Sequence, residues 1–184
     1  MKRINIYTEK QYIELGLTNF PHFKEKWKSH IAPIIDWGNL EKAIQSSGNY
    51  TKVIGLKPDK NFLMGCHIPV YIQDELCSSQ LYSPRYRVKE LLRLIKKSPK
   101  LAEEWPKVYD SYIGIYETKL TIPAVWTGKI LLILDGTHRL IGVMQDNVLF
   151  EKTEIAIEVL DLTFNFYRPE RYFVDLLYYI NNKP

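Results

Sequence analysis

The sequence predicts an α+β fold: a small mixed sheet flanked by helices. Three stretches carry that prediction. Ile130-Leu-Leu-Ile-Leu134 is a short apolar run between Thr127-Gly128-Lys129 and Asp135-Gly136, and it reads as a buried strand. Glu154-Ile-Ala-Ile-Glu-Val-Leu-Asp161 alternates as a strand does. Val88, Leu91, Leu92 and Ile95 recur at helical spacing and form one apolar stripe.

Taken in order, residues 1–65 read as a mostly helical N-terminal extension. Glu9–Leu15 and Pro21–His30 are helix candidates, the second opened by Pro21 in its first turn. Asn39–Ser46 is a third, ended by Ser47-Gly48-Asn49. Tyr50–Leu56 reads as a strand, followed by the turn Lys57-Pro58-Asp59-Lys60. Such an extension would cover one side of the core or cap a substrate.

Ile68-Pro69-Val70-Tyr71-Ile72 reads as a strand, and its proline suggests an edge. Ser83 and Pro84 suit the cap and first position of a helix over Tyr86–Lys97. Residues 98–118 are less regular, broken by Pro99 and Pro106, with a short element over Val108–Tyr116. Leu120–Trp126 and Ile130–Leu134 form a hairpin across Thr127-Gly128-Lys129. A helix is expected over 137–146, beginning with the apolar Leu140-Ile-Gly-Val-Met144. Arg168–Asn181 reads as a closing amphipathic helix with Phe173, Leu176, Leu177 and Ile180 on one stripe. The expected organisation is one domain over 1–184: the extension 1–65, a core 66–162 and a C-terminal helix 163–184.

Composition fits that picture. A chain of 184 residues with 46% hydrophobic and 25% charged residues can bury a sizeable core. No apolar run reaches the length of a membrane span, and Met1-Lys-Arg-Ile-Asn-Ile-Tyr7 lacks the apolar centre of a signal peptide, so a cytoplasmic protein with no membrane partner is expected. Cys66 and Cys77 have no spacing that suggests zinc, so no resident metal is expected and both read as free thiols. The net charge of +4 suits a polyanionic ligand without requiring one. The 13 tyrosines, interleaved with lysine, could stack on single-stranded nucleic acid, though such density more often belongs to core edges and interfaces.

The chemistry concentrates in Asp135-Gly-Thr-His-Arg139. A strand that turns sharply into a helix leaves free N–H groups and a positive dipole end, which favour an anion. Gly136 allows close backbone approach. Thr137 and His138 can donate hydrogen bonds, and Arg139 offers a planar fork for phosphate oxygens. Asp-Gly is also a common turn, and Asp135 is equally a candidate cap of the helix.

Asp135-Gly-Thr-His-Arg-Leu140 resembles the D-G-x-H-R-L signature of the ParB/sulfiredoxin-like superfamily, which includes partition ParB N-terminal domains, sulfiredoxin and a free-serine kinase. The resemblance covers roughly residues 66–162. Ile68–Ile72 resembles the family's first strand, Tyr86–Lys97 its first helix, and Leu120–Trp126 the strand before the signature hairpin. Only the signature is specific. The resemblance implies that the turn holds nucleotide phosphates through Gly136, Thr137, His138 and Arg139, with Arg85 added. It also implies that an acidic residue after the first strand, Asp74 or Glu75, acts as base while Asp135 assists. Mg²⁺ would accompany the nucleotide (ATP, ADP or CTP). Two departures narrow the activity. Thr137 stands where sulfiredoxin has its reactive cysteine, so sulfiredoxin chemistry is not expected. The arginine-rich motif and helix-turn-helix domain of ParB members are not matched, which argues against independent sequence-specific DNA binding.

The resemblance thus leads to a nucleotide-binding protein that hydrolyses a nucleoside triphosphate or transfers its phosphate to a small molecule. The alternatives are a non-catalytic ParB-like binding module that uses nucleotide as a switch or contacts nucleic acid, and a mobile-element or phage accessory protein that keeps the fold without the chemistry.

Overall fold

The computed structural model describes residues 11–31, 37–46, 51–70, 83–103, 105, 119–128 and 130–163. The expected elements over Val108–Tyr116 and Arg168–Asn181, the residues Asp74 and Glu75, and Cys77 lie outside them.

The described elements are β1 (Tyr12–Thr18), α1 (Phe20–Ile31), α2 (Trp37–Ser46), β2 (Val53–Pro58), α3 (Lys60–Gly65), β3 (His67–Val70), β4 (Ser83–Arg87), α4 (Val88–Lys97), β5 (Lys119–Trp126), β6 (Leu131–Ile133), α5 (Thr137–Gln145), α6 (Asn147–Lys152) and β7 (Glu154–Asp161). A further helical turn covers residues 99–103.

The fold is α+β, as expected, but the sheet is not small. Seven strands form one mixed sheet in the order β1-β2-β7-β5-β6-β3-β4. The β5–β7 and β3–β6 pairs are parallel and the others antiparallel. The N-terminal part is correspondingly more than a helical extension, because β1 and β2 continue the sheet beyond β7.

Helices cover both faces, which is what parallel pairs require. On one face Phe20, Phe23, Trp27 and Ile31 of α1, with Leu40 and Ile44 of α2, pack on Val53, Val125, Leu132 and Leu160. On the other, α3, α4 and α5 pack Phe62, Leu63, Leu91, Leu92, Leu140 and Ile141 against Ile54, Ile122, Leu131, Ile133 and Ile157. Successive residues of a strand point to opposite faces, so Leu131 and Ile133 enter one core and Leu132 the other. That double burial is why β6 is uninterruptedly apolar. Glu158 of β7 ties α1 to the sheet by accepting from Trp27 Nε1 (2.7 Å) and Lys26 Nζ (2.5 Å).

Three local expectations are corrected. Tyr12–Thr18 is a strand, not the end of a helix over Glu9–Leu15. Ile13, Leu15 and Leu17 recur at a spacing of two, and the strand follows that period rather than a helical one. Ser83 and Pro84 do not begin a helix. They lie in β4, the last strand of the order, where a proline is tolerated. β3 is not an edge but sits between β6 and β4, and its register shifts between Ile68 and Val70, so Pro69 falls at a bulge.

Candidate functional site

β6 ends at Ile133, and Leu134 N–H donates to Pro123 O (2.8 Å), holding the chain beside β5. The hairpin before it closes through Thr127, whose Oγ1 accepts from Ile130 N–H (3.2 Å). Two residues later the backbone turns at Gly136, which has φ +75° and ψ +13° and forms the N-cap of α5. This left-handed conformation is open to glycine and costly for most side chains. Leu140 N–H then closes the first helical bond to Gly136 O (2.9 Å). The expected strand–turn–helix is present.

The alternative role of Asp135 as helix cap is not realised. Gly136 holds the cap position and has no side chain to offer, so no such cap bond forms. The positive end of the α5 dipole therefore faces the turn with no side-chain bond from its cap residue.

Arg139 folds back over the glycine. A Cβ at Gly136 would lie 3.5 Å from Arg139 Nη2 and 3.7 Å from Ile122 Cγ1. The guanidinium lies 3.8 Å from Asp135 Oδ2, beyond hydrogen-bonding reach, and the two side chains are 46% and 33% exposed. An ion pair this loose and wet contributes little, so it does not lock Arg139 in place. His138 stacks on the buried Trp105, ring centroids 4.4 Å apart and planes at 28°. Trp105 thereby fixes the imidazole plane at the rim of the turn. Thr137 is half-buried beside it.

The topology brings one more segment to this end. β3 and β6 are adjacent and parallel, with His67 opposite Leu132, so their C-terminal ends lie at the same edge of the sheet. Continuing that register sets Val70 about level with Asp135. Asp74 and Glu75 follow β3 in sequence and lie outside the described residues. Arg85 belongs to β4, on the far side of β3 from β6, and its side chain is likewise outside them.

The structure therefore gathers Asp135, Gly136, Thr137, His138 and Arg139 at one turn. Trp105 escapes a reading of the sequence, because a stacking partner supplied by a distant segment leaves no local pattern. Among the described residues no group of three His, Cys, Asp or Glu side chains converges, and no helix is long and apolar enough to cross a membrane. No family model, no curated protein and no solved structure matches this chain.

Proposed function

We propose that the protein binds a nucleotide by its phosphates at the start of α5 and cleaves or transfers the terminal phosphate. One observation carries this reading. A helix N-terminus whose cap is a left-handed glycine follows a buried strand, with a half-exposed, loosely paired arginine laid over it. Oriented amides and a guanidinium are the donor set that phosphate oxygens take. The His138 ring, held by Trp105, adds a donor at the rim.

Mg²⁺ would come with the nucleotide. Asp135 fits that demand, since its carboxylate is part-exposed and 3.8 Å from its only ion-pair partner among the described residues. Nucleotide-borne Mg²⁺ commonly takes one or two carboxylates besides phosphate oxygens and neutralises charge on the transferring group. Arg139 and the α5 amides would bind and orient the phosphates. Asp74 or Glu75 remains the proposed base toward an acceptor hydroxyl.

Calorimetric titration with ATP, ADP and CTP, with and without Mg²⁺, tests the site. Arg139→Ala is expected to weaken binding by roughly 1.5–3 kcal/mol, the scale of a lost charge-assisted bond. Equal affinity in that variant rejects the assignment. Product analysis then separates the readings: Mg²⁺-dependent turnover lost in Asp135→Asn at unchanged melting temperature supports an enzyme, while binding with no product assigns a binding module.

A further inference from the structure

The other end of α5 borders a different kind of surface. α3, α4 and the α5–α6 junction enclose a cavity of about 360 Å³. This lies within the size range of small-molecule sites. Its floor is apolar, formed by Met64, Leu92 and Met144. Its rim is cationic, formed by Lys60, Lys89, Arg93 and Lys96, and no carboxylate lines it.

The rim follows from the sequence of α4. Val88, Leu91, Leu92 and Ile95 are buried, which turns Lys89, Arg93 and Lys96 outward at a spacing that shares one helix face. Among the described residues these three form no ion pair. The single acid of the helix, Glu90, is engaged elsewhere, accepting from Arg87 N–H (2.8 Å). Lys60 approaches from α3. It donates to Asn147 Oδ1 (2.6 Å), stands 5.1 Å from the Phe150 ring centroid, and keeps further donors for a ligand. Like charges gathered around one hollow repel one another, and an anion among them removes that cost.

We propose that this cavity binds a small organic phosphate of mononucleotide size. Two or more phosphate groups meet the four rim cations, and an apolar or aromatic body lies on the Met64–Leu92–Met144 floor. Thioether side chains adapt readily to a flat ring. The cations converge on a hollow rather than follow an extended groove, which favours a small molecule over a nucleic-acid strand. The site is separate from the signature turn, about 12 Å away along α5 at 1.5 Å per residue, and does not depend on it.

The test is a titration of the ¹⁵N-labelled full chain with ATP, inorganic pyrophosphate and a short single-stranded oligothymidylate, following backbone amide shifts. ATP is expected to shift the amides of residues 89–96 and 144–147 saturably, and pyrophosphate to do so more weakly. The double variant Lys89→Ala/Arg93→Ala should weaken that response about tenfold or more. Arg139→Ala should leave it unchanged, which separates this site from the one at the turn. Both α4 side chains point to solvent, so the variant should fold. If it does not, Lys96→Gln should give a smaller loss at the same amides. No shift of these amides with ATP, or equal affinity in the variants, overturns the proposal. So does a response to the oligonucleotide alone, which would assign the surface to nucleic acid.

Discussion

At Gly136 a single hydrogen in place of a side chain decides how the chain turns. Its φ of +75° costs an L-residue roughly 1–2 kcal/mol. A Cβ there would meet Arg139 Nη2 at 3.5 Å, which is ordinary contact, so the penalty is in the backbone and not in a clash. Gly136→Ala is expected to lower stability by about that amount, and Gly136→Asn by less, because asparagine visits this region. Chemical denaturation measures both; equal losses would remove the backbone explanation. His67 supplies a second residue-scale prediction. Its Nδ1 is buried without a hydrogen-bond partner among the described residues. Burial first, and the Arg87 guanidinium second, hold its pKa below the usual value of 6.5. The unfolded chain therefore takes up this proton before the folded one. The stability contributed by neutral His67 is complete above the unfolded pKa and is lost as pH falls through the folded one. Melting temperature should drop as pH falls below about 6.5, and less steeply in His67→Gln. An identical slope in the variant would place the acid sensitivity elsewhere.

The elements show which signals the sequence carries openly. β6, the turn after it and α5 were legible because a doubly buried strand must be continuously apolar and a left-handed turn calls for glycine. The β5–β6 hairpin and β7 were legible for similar local reasons. β1 was not. Its period-two residues Ile13, Leu15 and Leu17 overlap the expected helix over Glu9–Leu15, and each is more than half exposed, so the strand buries little of its own stripe. Its register also shifts between Glu14 and Gly16, where Gly16 has φ +144°. β4 was hidden by Ser83-Pro84, which mimics a helix start. Of the candidate site, the strand–glycine–helix turn was legible, whereas the Trp105 stack and the α4 cavity arise only when distant segments meet. A cap was missed as well. Asp146 ends α5 and accepts from Val148 N–H (2.8 Å) and Leu149 N–H (3.1 Å), which starts α6. Asp146→Ala should cost about 1 kcal/mol, and Asp146→Asn much less. Denaturation curves check this, and equal losses would show that charge, not capping, matters.

For the whole molecule, the sheet is a partition between two cores. Leu132→Ala opens a cavity toward α1 and α2, and Ile133→Ala opens one toward α3, α4 and α5. Each should cost roughly 2–5 kcal/mol. Losses below about 1 kcal/mol at either position would mean that its core collapses around the gap. The order of pairing has a further consequence, for synthesis. β1–β2, β3–β4 and β5–β6 are each antiparallel neighbours that follow one another as strands along the chain, β1 and β2 with α1 and α2 between them. β7 alone lies between β2 and β5, with Val53 opposite Leu160 on one side and Trp126 opposite Asp161 on the other. A chain leaving the ribosome can assemble the β1–β2 pair and the β5-β6-β3-β4 set early, but it cannot join the two until β7 has emerged. Until then β2 and β5 each present an open ladder edge to whatever else is nearby. Nascent chains stalled before β7 should therefore be open to proteases and bound by chaperones, and chains stalled well after it should not.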